Sequence, residues 1–286
     1  MFNLFAITKG PLKRRLFYPL LSLLVALGLC LGSTQSAPAF SWFDLLRPAI
    51  QAIQLSNMSD KQEVALGEQI NQQLVKEEVK LYRDRRVNAY VNQIGQQLAR
   101  ESSRPPTKEY KYTFQVVDDD NINAFATMGG FVYVHTGLLK AADNEAQLAS
   151  VLAHEIGHIT ERHAIKQMRQ MAIALGVASA AGLDNNTAVQ IGVDLALHRP
   201  KSRQAEYEAD RVGLQMLGSA GYAQSAMIDF MKKLLNGPSV PTVLSTHPGT
   251  PDRIQALSDN LNPAFADRGD GLNEADYKAN IKPVLR

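Results

Sequence analysis

Cysteine is almost absent from this chain. Cys30 is the only one among 286 residues, and it sits in an apolar run near the N-terminus. The chain beyond that run therefore has no thiol. It forms no disulfide, and any metal site must be built from histidine and carboxylate. A cysteine-free chain also suits an oxidising compartment.

Positive charge is scarce once its position is considered. The formal charge is +2, but Lys9, Lys13, Arg14 and Arg15 are the only charges before Asp44. Without those four residues the balance is −2. That excludes a general attraction for nucleic acid, and no basic patch with interleaved aromatics is present. Repeats at solenoid periods are absent as well. Long apolar runs are few. Met171 to Leu183 spans 13 residues, too short to cross a bilayer, and reads as a core helix.

The N-terminus has a plan of its own. The four basic residues precede an apolar run from Leu16 to Gly32, followed by Ala37-Pro38-Ala39. This is the layout of a secretory signal peptide cut after Ala39, leaving residues 40–286 as a single domain. An uncleaved anchor is the alternative, although the run is only 17 residues long and is broken by Pro19. Arg14-Arg15 reads as part of a plain basic region rather than a twin-arginine signal. Leu29 before Cys30 argues against a lipoprotein.

The rest alternates between two periods. Asp60 to Glu77 and Asp84 to Arg100 carry apolar residues at helical spacing. Tyr110 to Val117 alternates as a strand does. Asn123 to Met128 and Phe131 to His135 read as extended segments around Gly129-Gly130. Asp143 is placed to cap a helix that passes through His154 and runs well beyond His163. Further helices are expected over 187–197, 202–219, 224–235 and 251–261. The fold class is α+β, mostly helical.

The main chemical signal is His154-Glu155-Ile156-Gly157-His158. At 3.6 residues per turn, the two histidines stand about 40° apart on one helix face and can share one Zn²⁺. Glu155 lies beside them, where it can take a proton from water; this is the metalloprotease pattern. Leu148, Val151, Leu152 and Ile156 make this helix buried, and buried polar groups need partners.

A catalytic zinc needs a third protein ligand and one open position. On a straight helix His163 falls about 180° from His154, a poor position for a ligand. His135 and His198 read as ordinary histidines. Glu206 and Asp210 lie four residues apart and share a face, while Glu208 points elsewhere. Glu206 can bind the metal while Asp210 orients a ligand histidine. The same segment also suits an ordinary charged helix paired with Arg203 and Arg211, and periodicity does not choose between the two.

Several pieces occur in a recognisable order. They are Asn123-Ala124-Phe125-Ala126, Gly129-Gly130, Gly137-Leu138-Leu139, the His154–His158 motif, Ser202-Arg203 with Glu206-Tyr207-Glu208-Ala209-Asp210, and Ser245-Thr246-His247-Pro248 with Arg253-Ile254. From Asp60 to Leu261 the chain resembles the zinc endopeptidases grouped with the CAAX prenyl endopeptidase, HtpX, Oma-type and BepA-type proteases. With no repeat domain after the peptidase segment, it is most similar to the family's compact exported members. The resemblance implies a gluzincin-type fold with a small sheet beside the metal helix. It implies one zinc per chain on His154, His158 and Glu206, and Glu155 as general base. It also places Asp210, described in the family as a proton donor, in the catalytic site. The exported members act in the periplasm or cell envelope, degrading misassembled polypeptides.

Further roles are expected from position. His247 and Arg253 are candidate oxyanion donors. A neutral His247 can instead take the open position on zinc and hold the enzyme latent. Asn123 to Ala126, with Ala124 at its centre, and Phe131 to His135 are expected to offer an edge strand to an extended substrate. The apolar stretches near Phe40–Ile53 and Met171–Leu183 allow peripheral membrane contact, though core packing is their plainer use. A non-cutting chaperone on the same scaffold is the competing function, and the intact Glu155 argues against it.

Overall fold

In a computed structural model, the described residues are 58–174, 185–198, 201–237, 241–249, 251–263 and 266–286. The leader, the apolar stretch after it and most of 171–183 lie outside them.

The first described helix, α1 (Asp60–Gln73), opens with a reciprocal cap between Ser59 and Gln62 and ends in a π turn over Leu74–Glu78. Helix α2 (Arg85–Arg100) starts at Asp84, whose carboxylate accepts from the Arg86 and Val87 amides. It buries Val87, Val91, Ile94 and Leu98 on one face.

Three strands follow: β1 (Thr113–Val117), β2 (Ala124–Thr127) and β3 (Phe131–His135). Their order is β1-β3-β2, with β1 parallel and β2 antiparallel to β3. Gly129 and Gly130 turn the β2–β3 hairpin at φ +79° and +91°. A side chain at Gly130 would also strike the Lys111 carbonyl.

The rest is helical. Helix α3 (Thr136–Ala141) leads to α4 (Glu145–Thr160), α5 (His163–Ala174), α6 (Asn185–Leu197), α7 (Arg203–Ser219) and α8 (Ser225–Leu235). A short turn, α9 (Val243–Thr246), precedes α10 (Pro251–Asn260) and α11 (Glu274–Asn280). None of the described helices is long and apolar enough to cross a membrane.

The sheet separates two apolar clusters. Val132, Val134, Phe114 and Val116 pack with α2, α4, α7 and α8. Phe125 and Tyr133 face Ile70 and Leu74 of α1 together with α5 and α6. Helix α4 is buried almost throughout and lies against α7 so closely that glycines mark the crossing. A Cβ on Gly157 would come within 2.8 Å of the Ala209 carbonyl oxygen, and one on Gly213 within 3.1 Å of the His154 nitrogen.

Three expectations are corrected here. The α4 cap is Asn144, whose side chain accepts from the Gln147 amide at 3.0 Å, and not Asp143. The helix does not run past His163. It stops at Thr160, turns through Glu161 and Arg162, and restarts as α5. Arg162 has φ +54°, the only positive value outside glycine among the described residues. Finally, β3 pairs on both sides, so of the two segments expected to offer an edge only β2 lies at one, and all four β2 residues are buried.

Candidate metal centre

Helices α4 and α7 supply most of the site. Ser202 caps α7, its hydroxyl accepting from the Ala205 amide at 3.2 Å, and this sets Glu206 and Asp210 on the face toward α4. The loop after α9 returns His247 over the pair. It is fastened by the Val243 amide to the Ile122 carbonyl at 3.0 Å, just before β2, and by the Lys201 amide to the Thr246 carbonyl at 2.9 Å.

Four donors then converge. His154 Nε2 and His158 Nε2 are 3.0 Å apart. His247 Nδ1 lies 3.3 Å from the first and 3.2 Å from the second. Glu206 Oε2 is 3.4 Å from His154 Nε2, and Glu206 Oε1 is 3.4 Å from His158 Nε2 and 3.2 Å from His247 Nδ1. Glu206 thus faces His154 with one oxygen and His158 and His247 with the other, and the four side chains surround one point. Donors about 2.0–2.1 Å from a tetrahedral zinc stand roughly 3.3 Å from one another. The residues present therefore fit a zinc ion, and all four are buried. This is the one such group among the described residues.

The surrounding contacts orient the donors. His154 Nδ1 donates to Asp210 Oδ1 at 2.9 Å, which leaves Nε2 free to face the other donors. Arg253, on α10, donates from Nε to Asp210 Oδ2 and from Nη2 to Asp210 Oδ1, both at 2.7 Å. Its Nη1 reaches Glu206 Oε2 at 2.7 Å and the Pro248 carbonyl at 2.9 Å. Burial works against charge at Asp210, but hydrogen bonds from Arg253 and His154 hold its carboxyl below the usual range. Glu206 is likewise lowered, the His247 charge and the imidazole hydrogen bonds outweighing burial. Burial alone would make His154 less basic, yet Asp210 and Glu206 raise it to about 10.

Two expectations about these residues change. Arg253 has its guanidinium spent on two carboxylates and a carbonyl, so it anchors the site and is not a free oxyanion donor. Asp210 is ionised with both oxygens engaged, so it has no proton to donate and is placed to orient His154. The partner of this carboxylate pair is Arg253, and neither Arg203 nor Arg211.

Glu155 is different. It is 1% exposed, yet neither carboxylate oxygen has a hydrogen-bond partner. His247 Nε2 lies 3.5 Å from its Oε1. Glu155, His154 and His247 open onto a cleft whose other walls include Met227, Phe230, Met231, Leu234 and Leu244. Asn123 and Ala124 stand at the start of β2, beside the anchor of the His247 loop, and Asn123 Oδ1 is buried without a partner.

The other histidines are dispersed, with one exception. His135 lies 3.6 Å from Asp119, and His198 is exposed beside Asp194. His163, expected on the far side of the helix, touches the site. Its Nδ1 is 2.7 Å from His158 Nδ1, and its Nε2 is 3.0 Å from Glu208 Oε2. Burial lowers the His163 pKa, and the hydrogen bonds from His163 and Gln204 lower Glu208 to about 2. No sequence signal marked this contact, because it depends on the turn at Arg162.

Residues 85–261 match peptidase family M48. The "Beta-barrel assembly-enhancing protease" of Escherichia coli (strain K12) is 32% identical over 246 residues, 80% of this chain and 50% of that protein. A "Putative beta-barrel assembly-enhancing protease" of Vibrio cholerae is 31% identical over 260 residues, 83% of this chain and 51% of the other. The "Mitochondrial metalloendopeptidase OMA1" of Saccharomyces cerevisiae is 32% identical over 164 residues, 52% of this chain and 46% of its own. This chain thus spans about half the length of these curated relatives. With its helical α+β architecture and a buried histidine–glutamate cluster of metallopeptidase type, the chain belongs to peptidase family M48.

Proposed function

We propose that this chain is a zinc-dependent endopeptidase acting on unfolded or misassembled polypeptides in the cell envelope. The observation that carries the reading is the buried cluster of His154, His158, His247 and Glu206, whose facing donor atoms lie 3.0–3.4 Å apart. In it His154, His158 and Glu206 are the working ligands. Bound there, zinc supplies Lewis acidity that lowers the pKa of water and polarises a scissile carbonyl. Glu155 takes the proton of the attacking water and passes it to the leaving amine. Its two unpartnered oxygens suit that task, since no hydrogen bond must break first. Asp210 holds the tautomer of His154, and Arg253 holds Asp210 and Glu206 in register.

His247 decides whether the site is open. Its Nδ1 takes the fourth vertex, which makes a closed set of four donors, as in structural zinc sites. This closure supports reading the conformation as latent, with activity requiring the His247 loop to withdraw. The apolar cleft beside Glu155 fits an apolar side chain next to the scissile bond. Such side chains are exposed in unfolded chains and hidden in folded ones. Asn123 and Ala124 would meet the extended substrate at the β2 edge.

Export rests on the basic and apolar leader, with residues 1–39 removed and 40–286 retained. The envelope role is supported by the printed name of the Escherichia coli relative. The competing reading, a binding protein that never cuts, is favoured only by the four-donor closure.

The test is cleavage of casein by the purified protein and by its Glu155→Gln and His247→Ala variants, with bound zinc measured in each. Zinc in all three is expected, with cleavage rising in His247→Ala, lost in Glu155→Gln, and stopped by a chelator. Zinc without cleavage in any form would favour the binding protein. Absence of zinc throughout would refute the site itself.

A further inference from the structure

His154 is backed by a carboxylate, Asp210; His158 is not. We propose that His158 is held for zinc by a relay through His163 to Glu208, and that the turn at Glu161–Arg162 sets this relay in place. The proposal rests on the metallopeptidase reading and adds two positioning residues to it.

The proton inventory leads to one arrangement. His158 turns Nε2 toward the other donors, so as a ligand it must carry its proton on Nδ1. Among the described residues its partner there is His163 Nδ1, at 2.7 Å, which must therefore be bare and accept. The His163 proton then sits on Nε2, which donates to Glu208 Oε2 at 3.0 Å. Each ring nitrogen in the chain is used once, and the relay ends on a carboxylate. His163 is 4% exposed, so a mismatched proton would stay buried and unpaired.

The backbone makes this contact possible. On a continuous helix, a residue five positions after His158 would be rotated about 140° away from it. The chain instead leaves α4 after Thr160, and Arg162 adopts φ +54°. Arginine does not favour that conformation, so tertiary contacts must hold it. Its Nη2 reaches Glu63 Oε2 at 3.1 Å and the Met58 carbonyl at 2.5 Å. Glu63 is 1% exposed and is itself fixed by Arg104 and Tyr110. Helix α1 thus braces the turn behind the metal helix.

The relay also places charge sensibly. A carboxylate directly behind His158 would add another buried anion to Glu155, Glu206 and Asp210, and buried charge is costly. Inserting His163 moves that carboxylate to a half-buried position, where Lys166 approaches at 3.5 Å and Gln204 donates at 2.8 Å.

The experiment measures zinc affinity by chelator competition, and the melting temperature of the zinc-free protein, for the parent and for His163→Leu, His163→Gln and Glu208→Ala. Loss of a partner behind a metal-bound histidine typically weakens metal binding about 10- to 100-fold. His163→Leu should show that loss. His163→Gln keeps an acceptor and a donor and should recover most of it. Glu208→Ala should lose about 10-fold, and nothing more when added to His163→Leu. The proposal is overturned if the parent binds zinc but these variants bind it within about twofold of the parent, or if zinc-free melting falls with zinc affinity unchanged. Should His163→Leu not fold, Glu208→Ala and His163→Gln decide by the same criteria. A parent that binds no zinc overturns the metal site as well, which distinguishes the two failures.

Discussion

Replacing Gly157 by alanine tests the packing that holds the site together. The added Cβ would lie 2.8 Å from both the Ala209 carbonyl oxygen and Val212 Cγ2, and 3.0 Å from Ala209 Cα. Ordinary contact begins near 3.4 Å, so the shortfall is about 0.6 Å. The Ala209 carbonyl and Cα are main chain and cannot swing aside, so α4 and α7 must part. Overpacking of this kind costs about 1–3 kcal/mol. Alanine regains roughly 0.5–1 kcal/mol in a helix interior. The net loss should be about 1–2 kcal/mol, a fall in melting temperature of roughly 2–8 °C for a domain of this size. The larger effect falls on the metal. His154 and His158 belong to α4 and Glu206 to α7, with closest approaches of 3.4 Å between them. Zinc sites tolerate about 0.2 Å of misplacement, so zinc affinity should fall at least about tenfold. Thermal melting of the zinc-free protein and chelator competition read the two terms separately. Unchanged melting and unchanged zinc affinity would refute the account of this helix crossing.

Three other outcomes follow from the site. Arg253→Met leaves Glu206 and Asp210 buried without their cation and should cost about 3–5 kcal/mol in denaturant unfolding; a loss below about 1 kcal/mol would contradict the anchoring role. Arg253→Lys should rescue little, because an ammonium cannot grip two carboxylates as a guanidinium does. Metal-free His154, raised to about 10, keeps its proton below that pH, so zinc must displace it. Zinc affinity should therefore climb with pH and fall about tenfold per unit toward acid, with about one proton released per zinc at pH 7.5 in calorimetry in several buffers. Leu244→Asn, on the cleft wall, should lower kcat/KM about tenfold for peptides with an apolar residue beside the scissile bond, leaving zinc affinity unchanged.

Local features of the fold were legible because local residues encode them. Ser59, Asp84 and Ser202 mark helix starts, since their side chains satisfy amides only a few residues away. The extended segments either side of Gly129-Gly130 were legible too, and the structure joins them as a hairpin. Within one helix, spacing alone put His154 beside His158, and Glu206 beside Asp210.

What spacing does not reach is the meeting of distant segments. Glu161 and Arg162 are good helix formers with no glycine or proline near them, so the sequence reads straight through to His163. The break comes from Glu63 and the Met58 carbonyl, which grip Arg162 from roughly 100 positions away. Arg253 reads as a helix-start residue until α10 packs on α7 and aims it at two buried carboxylates. His247 stands 93 positions from His154, and only the ties to Ile122 and Lys201 bring it to the fourth vertex. The sequence by itself determined the pairing of His154 with His158, the glutamate between them and the helices that carry them, because those depend on periodicity within one element. The tertiary structure decided which carboxylates are anchored, which histidine closes the site and which one braces it, because those depend on how separate elements pack.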